Sequence, residues 1–197
     1  PVRLLYDASD RNTGIEQYAT DTGDGIATYY SRDAQNRIMG RYINSITDLT
    51  WSAAGDSFYG FTGSGDTPDF IRDEAWNVVE KYVTLPGNVL VTIRPNASDP
   101  SAQMTFSLPN IHGDNFATTK SDGSLLSTNV TGPFGELIDG QFAPTNADRG
   151  ASYSYTGQYQ KLSETNFSIP IVQMGARVYL ASIGRFAQVD PVEGGTD

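Results

Sequence analysis

Apolar and polar residues alternate along most of this chain in runs of four to nine residues. Examples are "IATYY" (26–30), "RIMGRYI" (37–43), "SFYGF" (57–61), "NVVEKYVTL" (77–85), "NVLVTI" (88–93), "QMTFSL" (103–108), "SYSYTG" (152–157) and "RVYL" (177–180). A period of two, rich in β-branched and aromatic residues, predicts half-buried strands. No stretch carries the three-to-four spacing of an amphipathic helix. The 20 glycines and 10 prolines punctuate the whole length and leave no room for a helix of many turns. "LPGNV" (85–89) predicts a hairpin turn between two strong strands, and "PNASDPS" (95–101) a loop. The fold class expected is therefore all-β, built from antiparallel hairpins, and no linker divides the chain.

A short unit recurs. "DASDR" (Asp7–Arg11) returns 26 residues later as "DAQNR" (Asp33–Arg37), each after a tyrosine-bearing run. "RDEAWNVV" (Arg72–Val79) is a weaker copy with Asn77 in the arginine's place, and "KSDGSLLS" (120–127) a fourth with Gly123 in the turn. Each copy reads as strand, turn and return strand, with the aspartate accepting backbone N–H bonds. Such hairpins cannot bury a face alone; side by side they make one continuous sheet.

Composition narrows the function classes. The chain has 197 residues, 38% hydrophobic and 18% charged, with 11 tyrosines and 9 phenylalanines to fill a core. A net charge of −10 argues against nucleic acid as a partner, because no basic stripe can displace counterions. With no cysteine there is no disulfide, no thiolate nucleophile and no cysteine-held zinc. No apolar run approaches the ~18 residues of a membrane span. Pro1 cannot begin a natural chain without processing, so the sequence reads as a piece of a longer protein.

Isolated motifs add little. "DTG" (Asp21–Gly23) mimics an aspartic-protease signature once, with no second copy, and reads as a turn. "DTGDG" lacks the alternating oxygen spacing of a calcium loop, and "GFTGSGD" (60–66) fails the phosphate-loop pattern. His112 is the single histidine; "NIHGD" reads as a turn whose imidazole satisfies nearby backbone. No metal site and no cofactor is expected. The sequons at Asn96, Asn129 and Asn166 carry no argument.

The tyrosine–aspartate turns, together with "SLPNIHGD" (107–114), "TGPFGE" (131–136), "YTGQYQK" (155–161) and "QMGARVYLASIGRFAQVDPVEGG" (173–195), resemble the RHS/YD-repeat family. More narrowly, they resemble its C-terminal RHS repeat-associated core. The last segment is the specific part, and the isolated repeats are weak alone. The resemblance implies a giant secreted or cell-surface bacterial protein, with teneurins as animal relatives. Its repeats wind into a spiralling β-sheet that forms a hollow cocoon. On this reading residues 1–150 are a YD-repeat shell segment and 151–197 the core motif that plugs it. The implied partners are the rest of the parent shell, a downstream toxin or effector and cell-surface glycans.

In the family the core motif also acts as an aspartyl autoprotease, and the arginine and the aspartate of its Asp-Pro step match Arg177 and Asp190. The spacing agrees that the two can meet. With 173–180 as one strand and 185–190 as the other, a two-residue turn sets Arg177 opposite Asp190. A four-residue loop sets Arg177 opposite Gln188, with Asp190 on the diagonal. Aspartyl chemistry needs a second carboxylate. Some family members place it directly after the arginine, where this chain has Val178; another acid such as Glu193 would then have to substitute. Gly184, Arg185, Phe186, Pro191, Gly194 and Gly195 complete the motif as a return strand, a stiff step and a flexible exit. Three readings follow: a structural shell segment in which Arg177 and Asp190 pin a hairpin, an aspartyl autoprotease, and a carbohydrate-binding adhesion module.

Overall fold

The computed structural model describes residues 1–19, 23–140, 151–175 and 177–188. Their strands form two antiparallel sheets. The first runs β1 (Val2–Tyr6), β2 (Asn12–Tyr18), β3 (Gly25–Arg32), β4 (Ile38–Thr47), β5 (Thr50–Gly60), β6 (Phe70–Arg72), β7 (Val78–Leu85), β8 (Val89–Ile93), β9 (Met104–Pro109), β10 (Asn115–Lys120), β11 (Leu125–Thr131) and β12 (Leu137–Gly140). Its strands pair in chain order, so it is a meander of consecutive hairpins. The second holds β13 (Ala151–Ser152), β14 (Leu162–Glu164), β15 (Ile171–Met174), β16 (Arg177–Leu180) and β17 (Arg185–Phe186), again in chain order. The all-β expectation holds. Among the described residues no helix is long and apolar enough to cross a membrane.

One local device recurs along the first sheet. In the Asp7 turn the Asp7 N–H donates to Arg11 O (3.0 Å) and the Asp10 N–H to Asp7 O (3.1 Å). Asp7 Oδ1 accepts from the Ser9 and Arg11 N–H groups, and Oδ2 accepts from Arg11 Nε at 2.7 Å. The Asp33 turn repeats this bond for bond: Oδ1 accepts from Gln35 and Arg37 N–H, and Oδ2 from Arg37 Nε at 2.7 Å. At Asp73 the neutral Asn77 replaces the arginine, and its side-chain bond to Asp73 lengthens to 3.4 Å.

The same backbone ring also closes at 110–114, 120–124 and 132–136. In all six copies the fourth residue sits in the left-handed region: Asp10, Asn36, Trp76, Gly113, Gly123 and Gly135. That is a three-residue hairpin loop, a type I turn closed by a left-handed residue. Each return strand then carries one extra residue, at Thr13, Met39, Val79, Phe116, Leu126 and Ile138. A bulge repeated at one place in every copy adds twist at every copy.

Three details depart from the sequence reading. In the 120–124 copy the lead residue is Lys120, and Asp122 sits inside the turn accepting the Ser124 N–H. In "NIHGD" the side chain that caps is Asn110, whose Oδ1 accepts the His112 and Asp114 N–H groups; His112 contributes its backbone and its side is exposed. "SYSYTG" is a strand only at its start, because Tyr155 and Thr156 turn into a short 3-10 segment over Gly157–Tyr159. The "LPGNV" turn closes as expected, with Leu85 paired to Val89 and both Gly87 and Asn88 left-handed.

The two faces of the first sheet differ. The second sheet covers one, and the core lies between them. One cluster joins Tyr59, Ile71, Tyr82 and Leu90 to Tyr153 and Leu162; another joins Ile15 and Tyr30 to Phe167, Ile171 and Val178. The opposite face carries aromatics in contact: Tyr29 on Trp51, Tyr42 edge-on to Phe58, and Phe58 stacked on Trp76 at 5.1 Å. Bare glycines let the rings lie flat there. A Cβ on Gly60 would stand 2.1 Å from Phe70 Cζ, and one on Gly14 2.7 Å from Tyr29 Cδ1.

Candidate functional site

The seam between the sheets is unusually polar. Arg41 lies mid-strand in β4, where the alternation turns it towards the second sheet, and Glu164 ends β14 facing it. Arg41 Nε donates to Glu164 Oε1 (2.7 Å) and Nη2 to Oε2 (2.6 Å). Both side chains are 0% exposed. The Tyr30 hydroxyl donates to Oε1 at 2.7 Å. Ions removed from water this completely persist only when geometry and further hydrogen bonds repay the desolvation. Burial alone would lower Arg41; the charge and hydrogen bonds of Glu164 outweigh it and hold the guanidinium firmly protonated. Burial first, and the Glu164 charge second, push the Tyr30 hydroxyl well above the ordinary range, so it stays a neutral donor.

A second carboxylate–arginine–tyrosine group stands on the same face. Glu80 accepts from Arg94 Nε at 2.8 Å and from the Tyr82 hydroxyl at 2.5 Å. The Tyr82 ring meets Tyr153 of the second sheet edge-on at 5.5 Å. Both carboxylates are engaged by an arginine and a tyrosine, an arrangement suited to fastening rather than to proton transfer.

Turns along one edge of the first sheet complete the seam. Arg32, just before the Asp33 turn, donates Nη1 to Gly175 O (2.9 Å) and Nη2 to Gln173 Oε1 (2.9 Å) on the second sheet. It also donates Nε to Asn12 O and Nη1 to Asn36 O. Asp114 Oδ1 accepts the Thr156 N–H at 2.9 Å, Asn115 Nδ2 donates to Tyr153 O at 2.7 Å, and the Tyr179 hydroxyl donates to Phe134 O at 3.0 Å. In a meander, alternate turns share an edge, and the 33–37, 110–114 and 132–136 turns all lie on this one.

The C-terminal motif is placed in part. "QMGARVYL" is not one strand: Gly175 takes φ +65° and the chain reverses, pairing Met174 with Arg177. A left-handed glycine makes a tight reversal there inexpensive. Beyond Leu180, residues 181–184 form a 3-10 turn closed by the left-handed Gly184, and β17 returns with Leu180 opposite Arg185 and Tyr179 opposite Phe186. This is the four-residue-loop register. The Ala187 N–H donates to Val178 O, and Gln188 Oε1 accepts the Val178 N–H at 3.0 Å.

Arg177 lies with its guanidinium carbon 3.9 Å from the centre of the Phe186 ring, a cation–π contact. Val178 points the other way and is 0% exposed in the apolar seam. Asp190, Pro191, Glu193, Gly194 and Gly195 fall outside the described residues, so the Arg177–Asp190 pairing is not placed; nor are Asp21 and Thr22 of the "DTG" motif. Among the described residues no group of three or more His, Asp or Glu is arranged to hold a metal.

Sequence reasoning passed over Arg41, Glu164, Glu80 and Arg94. One signal was present for Arg41: a charged residue at an inward position of the alternating run "RIMGRYI". Its partner lies 123 residues away, and no spacing rule reaches that far.

No protein-family model matches the chain, and no curated protein matches it in sequence. Solved structures match in fold. The chain is similar to the crystal structure of TcdB2-TccC3-TEV over 96% of its length, at 16% identity and TM-score 0.59. It is similar to the Photorhabdus luminescens Tc holotoxin pore over 98%, at 14% identity and TM-score 0.56. A crystal structure of TcdB2-TccC3 without its hypervariable C-terminal region matches 96% of the chain at 14% identity and TM-score 0.55. In each case this chain spans only 9% of the length of the other.

Proposed function

We propose that the chain is a wall segment of an RHS-type shell that encloses and presents a polypeptide following it. Residues 1–150 supply hairpins of the wall, and residues 151–197 are the plug and junction. The observation that carries this reading is the Arg41–Glu164–Tyr30 group, which bolts the second sheet across one face of the first. The fold likeness to Tc toxin assemblies supports it, as does the repeated turn and bulge, which lets one hairpin follow another indefinitely. The parent is a secreted or surface protein of a bacterium, its cargo a toxin or effector, and cell-surface glycans are a further partner. The test uses the full-length parent. With Glu164→Ala, the polypeptide downstream of residue 197 becomes sensitive to added protease, whereas the unaltered parent protects it. Equal protection in both rejects the reading.

Aspartyl self-cleavage is the second reading, and the β16–β17 register favours it, because it keeps the return strand beside Arg177 as far as Gln188. Asp190 is then the acid and Arg177 its charged neighbour. Val178 weighs against it: the position that would hold a second carboxylate faces the apolar seam. Unchanged processing of the Asp190→Asn parent rules this role out.

A further inference from the structure

A cavity of about 150 Å³ opens at the seam where the Asp33 turn meets the second sheet. Its floor is Tyr59, Tyr153 and Leu162, all nearly buried. Among the described residues its rim carries Arg32, Arg37 and Lys161 against a single carboxylate, Asp66. In a chain of net charge −10 this is a concentration of the opposite sign. Two of the three cations are already matched: Arg37 pairs with Asp33, and Lys161 with Asp66.

Arg32 differs. Its acceptors are Asn12 O, Asn36 O, Gly175 O and Gln173 Oε1, all neutral. A guanidinium has five N–H bonds; among the described residues these contacts use four and leave one on Nη2. Arg41 is the internal control. Both arginines are desolvated by the same seam, yet Arg41, with Glu164 against it, is raised, whereas burial leaves Arg32 lowered. Arg32 lacks what Glu164 supplies to Arg41. The apolar floor sets the rest of the ligand, since a cavity of roughly 150 Å³ takes one six-membered ring.

We propose that this cavity binds a small carboxylate carried on a single aromatic ring, the ring on the Tyr59–Tyr153–Leu162 floor and the carboxylate against Arg32. The pattern of an apolar body site with one convergent charge is that of a small-molecule pocket. The proposal is independent of whether the chain forms part of a shell.

The test is calorimetric titration of the unaltered chain with benzoate, benzamide and acetate, with 4-fluorobenzoate followed by fluorine NMR. Benzoate is expected to bind saturably. Benzamide, which keeps the ring and loses the charge, is expected to bind about tenfold more weakly or worse, since a charge-assisted contact is lost. Acetate, which keeps the charge and loses the ring, is expected to fall behind benzoate as well. Arg32→Gln is expected to bring benzoate down to the benzamide level and leave benzamide unchanged. Equal binding of benzoate and benzamide, or no saturable benzoate binding at millimolar concentration, overturns the proposal. Those arms need only the unaltered chain, so the outcome stands whether or not Arg32→Gln folds.

Discussion

The two sheets are held together in different ways. The twelve-stranded sheet is assembled from contacts close in sequence. Each of its six repeated turns closes within five residues, and each strand pairs with the next one along the chain. The five-stranded sheet also pairs locally, but what positions it is remote. Glu164 is fixed by Arg41 and Tyr30, Gln173 by Arg32 and Asn12, and the Ser168 N–H by Gln17 Oε1. One region is a repeating product of short-range chemistry; the other is a cover whose place depends on a few buried polar groups. Damage to a turn should therefore stay local, and damage to the seam should release the cover.

The largest effect is expected from Glu164→Ala. It leaves Arg41 buried without its counter-ion, and breaking a buried pair typically costs about 3–5 kcal/mol. Urea unfolding measures this. The double variant Arg41→Met with Glu164→Leu should recover most of the loss, since a packed apolar pair can replace a buried ion pair.

Val178→Asp comes next. It installs the carboxylate that the family pattern suggests, but at a fully buried apolar position. The expected result is destabilisation of roughly 3 kcal/mol or more and no gain of self-cleavage. Cleavage gained through this single change would show that the side chain reaches Arg177 after all.

The turns come last. Asp33→Ala should cost about 1 kcal/mol, and Asp73→Ala less, because its partner Asn77 is neutral and its bond long. The effect carries a pH signature. At Asp7 the Arg11 backbone N–H leads in holding the carboxyl below its ordinary range; at Asp33 burial acts upward and the Arg37 bonds and charge outweigh it. A carboxyl depressed on folding binds its proton less readily folded than unfolded. It therefore contributes stability above the unfolded value of about 3.9, and that contribution fades as pH falls through the folded value. Unfolding free energies of the parent chain and of Asp33→Asn should converge on acidification. Curves that stay parallel remove the ion pair from the account.

The hairpin sheet was largely legible in the sequence because its information is local. Alternation marked most strands, and "DASDR" and "DAQNR" announced a turn that the bonds of Asp7 and Asp33 reproduce. Two copies, at 110–114 and 132–136, stand out in the sequence as motifs and not as the same turn. Asn110 and Gly132 lead them, so the letters differ while the backbone ring is shared. The seam was not legible. Arg41 and Glu164 lie far apart in the chain, and only tertiary placement makes them partners. The reversal at Gly175 was masked by a run that also reads as one strand, and there the left-handed glycine decided the matter.

Native-state hydrogen exchange on Glu164→Ala tests the central claim most directly. If the second sheet is a cover fastened by Arg41, Glu164 and Tyr30, amides of 162–164, 171–174 and 177–180 lose protection while those of 78–85 and 89–93 keep theirs. If both sets lose protection together, the two sheets are one cooperative unit and the cover is not a separate device.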